Sequence, residues 1–578
     1  MSGSQRRERS PEGVPDSRGL NLFAADPSFR GLLGLYLEPR LRAHLLPHFE
    51  RLGALAGGAL DELALQADKK PPVLRAEGNI QFVEKSEPYK ELERIAFGEY
   101  GLAAMSHRGG VLGWPEPLPP LAKYALTYLY VQAEFGVCCP LSMTDALART
   151  IRKFADPALA ARYLPALTSQ DLDTLTQGAM FITEQRAGSD VGSVATTAKQ
   201  EGDGWRLHGD KWFCSNADAG LALVLARPVG APSGTAGLSL FLLPRTLPGG
   251  APNRYTLVRL KDKLGTRDMA SGEIRLEGAH AWLVGDARQG FKQMADMINM
   301  SRLSNGMRAA GMMRRALTEA LFVARERSAF GRRLVELPLM RRQLLKLMLP
   351  AEAARSVLLF TAVELEKADA GDEQARRCVR LLTPLIKFRA CRDARRVTGD
   401  AMEVRGGVGY TEEWSDPRLV RDAHLGSIWE GTSNIVALDA MRAIARERCL
   451  ETLLPVLDAR MAEAPRLLAG RIAASLDKAA AFAHEAATTR NEAHARQAAT
   501  ALYYAVAAAL LASEGTRLGA GGDARRQLLA FLAYVHRLAP RDPLRVETTG
   551  IEGALAEALL PETPVAPEAV QRILQRLA

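Results

Sequence analysis

The chain has 578 residues, 47% of them hydrophobic and 24% charged, with 75 Lys and Arg against 66 Asp and Glu for a formal net charge of +9. That length exceeds the roughly 250–300 residues at which a single hydrophobic core stops growing, and the composition excludes a disordered or fibrous protein. Cys138, Cys139, Cys214, Cys378, Cys391 and Cys449 follow neither a disulfide framework nor the paired spacing of a zinc site, so no metal is expected and a reducing, cytoplasmic setting is.

Residues 1–20 carry Arg6, Arg7, Glu8 and Arg9 among Ser, Gly and Pro, and read as a mobile polar tail without the apolar run of a signal peptide. From 21 to 178 apolar residues recur at helical spacing, as in Leu121–Phe135, which predicts an α-helical domain. The period changes over 179–285, where short β-rich runs such as 204–213, 222–227, 238–244 and 255–260 alternate with Gly- and Pro-rich turns and predict a compact β domain. Helical pattern resumes over 286–445, with Pro384 expected to interrupt one helix. Residues 446–578, rich in Ala and Leu, predict an additional helical domain. No stretch reaches the roughly 18 unbroken apolar residues of a membrane span, so no membrane is expected.

Several motifs stand on this frame. Thr183-Glu184 precedes Gly188-Ser189-Asp190 at the start of the β domain, where a glycine permits close backbone approach and a serine offers a donor to an anion. Lys211-Trp212-Phe213-Cys214-Ser215-Asn216 follows on a strand. Arg327-x-x-Phe330-Gly331 stands at a helix end, with Gly331 read as its cap. Glu403-x-x-Gly406-Gly407-x-Gly409-Tyr410 leads to Glu413, Arg418 and Asp422, and its glycines let backbone amides approach phosphate. Last comes Trp429-Glu430-Gly431-Thr432-Ser433-Asn434, with one carboxylate beside a glycine.

In this order the motifs resemble the signatures of the acyl-CoA dehydrogenase family. The resemblance implies an α+β fold: an N-terminal α domain, a middle β domain and a C-terminal helical bundle, here with an extra helical domain. It implies FAD, α,β-desaturation of an acyl-CoA thioester, and an electron-transfer flavoprotein or similar acceptor, as in fatty acid metabolism. By the family pattern Glu430 is the base that removes the α-proton. Thr183 and Ser189 would bind the flavin pyrimidine edge and the pyrophosphate, while Phe213 and Ser215 would flank the isoalloxazine and its N5. Arg327 and Phe330 would reach the ADP half of a neighbour's FAD, which implies a homo-oligomer, with a tetramer expected. Glu403, Gly406, Gly407, Thr432 and Asn434 complete the expected cofactor contacts. Phe181 and Pro338 depart from the pattern. Ser301 stands where a branched-chain subgroup keeps its alternative carboxylate, which disfavours that chemistry.

Asn21-Leu22-Phe23, Cys139–Thr144, Leu260–Arg267, Met312–Ala316 and the long C-terminal region are similar to the AidB-like subgroup, the adaptive-response homologues. That likeness implies an alternative role: weak, non-specific DNA binding in the alkylation-damage response, with vestigial dehydrogenase activity. Residues 441–578 hold 17 Lys and Arg against 15 Asp and Glu, a poor footprint for duplex DNA. The denser basic run, Arg376, Arg377, Arg380, Lys387, Arg389, Arg392, Arg395 and Arg396, reads as a solvated helix face or a subunit contact.

Overall fold

The computed structural model describes residues 14–540 apart from 79 and 203, together with 544 and 549–575. The tail expectation for residues 1–13 lies outside the described residues, but 14–20 are docked and correct it. Gly19 N–H donates to Gly57 O at 2.7 Å, Ser17 Oγ donates to the buried Glu319, and Pro15 O accepts from Arg405. Polar anchors on the helical body hold a segment whose own composition is that of a loose end.

The first region contains α1 (Pro27–Tyr36), α2 (Pro39–Gly57), α3 (Ala59–Asp68), α4 (Glu87–Glu93), α5 (Pro120–Tyr130), α6 (Cys138–Phe154) and α7 (Pro157–Leu167). Asp26, Glu38 and Asp156 each accept first-turn N–H groups just before a proline, which fixes where α1, α2 and α7 begin. One departure from the helical expectation is a hairpin, β1 (Val73–Glu77) and β2 (Ile80–Glu84), turning at Gly78 with φ +58°. It is held by the next domain: the Gln81 amide donates to Leu257 O at 3.0 Å and accepts from Leu257 N–H at 2.9 Å.

The β domain comprises β3 (Gly178–Phe181), β4 (Thr197–Glu201), β5 (Gly204–Ser215), β6 (Leu221–Pro228), β7 (Ser239–Pro244), β8 (Tyr255–Leu260) and β9 (Ser271–Leu283). Strands β6, β4, β5, β9 and β7 pair in turn, and β7 returns to β6, so the sheet closes on itself with β3 and β8 as flanks. Closure removes open edges and encloses a core of its own, including Phe181, Val224, Phe241 and Ile274.

The helical body rests on α8 (Gly290–Glu326), which ends in a two-stranded turn of β10 (Ser328–Ala329) and β11 (Arg332–Arg333), then α9 (Pro338–Asp369) and α10 (Glu373–Arg405). Contrary to expectation, α10 runs unbroken through Pro384, because packing on α8 and α9 keeps the helix whole. Gly306 brings α8 and α10 together, since a Cβ there would fall 2.9 Å from the Ile386 side chain. Helices α11 (Asp416–Gly426) and α12 (Ser433–Glu447) follow, and the extension adds α13 (Cys449–Met461), α14 (Arg466–Thr488), α15 (Ala495–Gly519), α16 (Arg525–Ala533), α17 (Ile551–Leu559) and α18 (Pro567–Leu574). Helix α15 belongs to a stretch, residues 492–519, long and apolar enough by composition to cross a membrane, but its apolar window is 89% buried.

The extension shares one continuous core with the helical body and is fastened by buried charge. Arg526 pairs with Glu352 at 2.7 Å and Glu514 at 2.8 Å, Arg314 pairs with Glu562 at 2.6 Å, and Arg355 pairs with Asp26 and Glu352. The basic run on α10 is in part the solvated face expected, with Arg376, Arg377 and Arg396 half-exposed, and in part turned inward, with Lys387 buried. Arg376 and Arg377 meet Glu373, Arg380 meets Asp439 and Glu447, Arg389 meets Asp393 and Arg396 meets Asp400.

Candidate active site

Between α11 and α12 the chain makes a turn in which Glu430 has φ +54° and Gly431 φ +97°. A left-handed non-glycine residue costs about 1–2 kcal/mol, so the turn needs support. Arg302 Nε donates to Glu430 O at 3.0 Å, and the Lys387 ammonium donates to Gly431 O. Arg302 is itself fixed by Asp439 at 2.8 Å, which also receives Arg380 at 2.9 Å. The turn aims the Glu430 carboxylate at α8, where Ser301 Oγ donates to Oε1 at 2.9 Å. Trp429 stacks on Phe135 with ring centres 5.7 Å apart, and the Arg308 guanidinium lies 4.7 Å from the Trp429 ring.

Burial pushes the Glu430 carboxyl above its ordinary range, and the Ser301 hydrogen bond with the charges of Arg302, Lys387 and Arg308 pulls it part of the way back. Burial also pushes the Lys387 ammonium down to about 8. The backbone N–H of Glu430 donates to no acceptor among the described residues, which leaves a donor free at the carboxylate's own position.

The β-domain residues form a second group. The Thr183 carbonyl accepts from Trp212 N–H at 2.8 Å, which sets the two motifs side by side. The intervening loop is shaped by Glu184, buried against Lys211 at 2.8 Å and accepting from Ala195 N–H and Thr196 N–H. Thr183 and Ser215 are half-buried, Ser189 is exposed, and Phe213 is 56% exposed. A third group surrounds Gly406, where Arg327 Nη1 donates to Arg405 O at 2.9 Å. Gly331 does not cap α8: Phe330 at φ +55° and Gly331 at φ +74° form the tip of the β10–β11 turn, and Phe330 is 93% exposed. Glu403 is exposed at the end of α10, and a Cβ added to Gly407 would meet nothing. Thr432 begins α12, and Asn434 Oδ1 accepts from Arg496 of the extension at 3.4 Å. Among the described residues this third group shares no hydrogen bond with Glu430.

An exposed aromatic on a strand, accessible hydroxyls at Thr183, Ser189 and Ser215, and open glycine backbone at 406–407 fit a flat cofactor bearing phosphates. The same motifs also contain scaffolding that sequence reasoning did not separate out. Arg418 is buried against Asp61 at 2.7 Å, and Asp422 accepts from Thr266 N–H at 2.7 Å. These two residues lock α11 to the N-terminal region and to the β domain. Burial pushes Asp422 up to about 7. Reasoning from sequence missed Arg302, Lys387 and Arg308 as neighbours of Glu430. For α8 the signal was the spacing of Ser301, Ser304, Asn305 and Arg308, which share one helix face.

Three family models match in sequence. "Adaptive response protein AidB N-terminal domain" covers residues 13–174, "Acyl-CoA dehydrogenase, middle domain" covers 179–279 and "Acyl-CoA dehydrogenase, C-terminal domain" covers 288–450. AidB of Escherichia coli (strain K12) is 36% identical over 364 residues, 61% of this chain and 66% of AidB, so the chain spans just under two thirds of that curated relative. Among solved structures, the apo form of Bd2924 is 33% identical with a TM-score of 0.78, covering 86% of this chain and 99% of that one. ACDH-11 of Caenorhabditis elegans, solved in complex with C11-CoA, is 26% identical with a TM-score of 0.82, covering 94% of this chain and 95% of that one.

Proposed function

The chain belongs to the acyl-CoA dehydrogenase family, and we propose that it desaturates an acyl-CoA thioester between the α- and β-carbons with Glu430 as the base. The observation that carries this reading is the Glu430 turn: a carboxylate raised by burial, held at one oxygen by Ser301, beside a backbone N–H with no acceptor. Because Oε1 receives the Ser301 hydrogen bond, Oε2 is the oxygen that takes the α-proton. An α C–H is a weak acid, so the negative charge that develops on the thioester oxygen needs a donor, and the free N–H of Glu430 supplies one. Bound FAD would supply the acceptor for the hydride that leaves the β-carbon, with an electron-transfer flavoprotein or similar partner as the onward acceptor. Thr183, Ser189, Phe213, Ser215, Thr432 and Asn434 would hold it, with Arg327, Phe330, Glu403, Gly406 and Gly407 serving its ADP half across a homo-oligomer contact. The exposed Phe330 at a strained turn tip supports that contact.

The experiment is anaerobic flavin reduction by acyl-CoA in the parent and in Glu430→Gln. The variant keeps the shape and loses the base, so it should retain flavin and bind acyl-CoA while reduction slows by about 10²–10⁴-fold. Equal reduction rates would refute the assignment. The DNA-associated reading draws no comparable support, since five cations of the basic α10 run already face carboxylates of this chain.

A further inference from the structure

Charged side chains near Glu430 are matched with one exception, Arg308, whose polar contacts are the Cys139 thiol and one carbonyl and include no carboxylate. Arg302 has Asp439, and on the far wall of a small cavity beside α8 Lys123 has Asp145 at 2.7 Å, with His107 on the same carboxylate. Lys387 has no carboxylate, but its ammonium holds the Gly431 carbonyl. Arg308 is 1% exposed and meets no carboxylate within 4 Å among the described residues. Its Nε makes a long 3.3 Å hydrogen bond to Ser304 O, its guanidinium lies on the faces of Trp429 and Phe135 at 4.7 and 5.3 Å, and its Nη1 is buried without a partner. Aromatic faces attract a cation but do not neutralise it, and an unpaired buried charge is costly to keep.

The position of this charge says where its counter-charge comes from. Side chains on a helix point back toward its N-terminus, which carries the Arg308 head to the level of Ser304. Ser304 and Met307 line the cavity that Lys123, Cys138 and Asp145 close from the other side. Ser301, which holds Glu430, stands one turn earlier on α8, roughly 5 Å away along the axis. Arg308 does not itself line that cavity, but its guanidinium lies against Trp429, the neighbour of Glu430, so an acyl chain running along α8 from Glu430 would meet it about one helical turn further on.

We propose that Arg308 is a specificity-determining residue that receives a carboxylate at the end of a short acyl chain, making ω-carboxyacyl-CoA thioesters the preferred substrate class. This rests on the desaturation reading for its chemistry but not for its binding. Glutaryl-CoA and pentanoyl-CoA are suitable probes, because their acyl chains have the same number of carbons and differ in carboxylate against methyl at the end.

Binding is measured on the flavin-loaded protein in the Glu430→Gln background, where turnover does not intervene, with Arg308 intact and as Arg308→Met and Arg308→Lys. With Arg308 intact, glutaryl-CoA should bind about ten- to hundred-fold more tightly than pentanoyl-CoA, the range of a charge-assisted hydrogen bond. Arg308→Met should reverse the order, and Arg308→Lys should keep part of the preference. Tighter binding of pentanoyl-CoA with Arg308 intact, or an unchanged ratio in flavin-loaded Arg308→Met, would overturn the proposal. The preference of the protein with Arg308 intact decides the matter even if the Met variant loses its flavin. Anaerobic reduction of the parent separates the two readings. Reduction by pentanoyl-CoA without a glutaryl-CoA binding advantage removes this inference and leaves desaturation standing. An Arg308-dependent advantage without reduction by either thioester does the reverse.

Discussion

Around Glu352 and around Glu430 the protein buries charge in opposite ways. In the Glu352 cluster Arg314, Arg355 and Arg526 each meet at least one carboxylate from Asp26, Glu352, Glu514 or Glu562, drawn from distant parts of the chain. At the Glu430 turn, Lys387 and Arg308 are buried with no carboxylate partner, and Glu430 itself is held by a hydroxyl. Only Arg525 in the Glu352 cluster lacks a carboxylate among the described residues, and it holds Leu559 O at 3.1 Å instead; a set so largely matched fixes geometry. An open set is costly to maintain, and unmatched groups with shifted titration gather where ligands bind.

The sharpest way to break this contrast is Glu352→Ala. It leaves Arg355 and Arg526 facing each other in the core, and should cost about 3–5 kcal/mol in chemical denaturation while flavin reduction per folded molecule stays near that of the parent. A loss below about 1 kcal/mol would mean that the cluster is not the fastening it looks like.

Lys387 gives the next effect, and its sign follows from protons. Below about pH 8 the ammonium is protonated both folded and unfolded, so its burial cost is carried in full. Between about 8 and the ordinary lysine value of 10.5 the folded protein has already released the proton, so this group's contribution to stability rises with pH by up to about 3 kcal/mol. Urea denaturation at a series of pH values should show that rise in the parent and its absence in Lys387→Met. The same substitution removes a cation beside Glu430, so the acid limb of the rate–pH profile should move upward.

The smallest effect belongs to Ser301→Ala. Losing one donor to Oε1, worth about 0.5–1.5 kcal/mol, should raise the Glu430 pKa further, with little change in global stability. An acid limb that does not move would show that Ser301 is a bystander.

Sequence reading yielded the order of regions and singled out Glu430 as the candidate base because both rest on local signals, periodicity and motifs a few residues long. The neighbours of Glu430 were not legible, since Ser301 and Arg302 come from α8 and Lys387 from α10, far from the turn in sequence. Arg376, Arg377, Arg389 and Arg396 of the α10 run pair with carboxylates three or four residues away on the same helix, a local signal, whereas the partners of Arg380 were not legible, because Asp439 and Glu447 lie on α12. The hairpin at 73–84 was missed for a related reason: what stabilises it is Gln81 meeting Leu257 in the β domain. Arg418 and Asp422 carried a family signature that said nothing of their contacts with Asp61 and Thr266.

The Glu352 cluster also bears on how the protein is made. Asp26 leaves the ribosome before Glu352 and Arg355, and these before Arg526 and Glu562. Domains tend to fold as they emerge, N-terminal first. Here the helical body cannot settle its buried ions until the last of these residues arrives, and a chain stopped before Arg526 would hold Glu352 with fewer counter-charges and Arg314 without Glu562. The ion cluster thus ties the packing of the helical body to the arrival of the extension.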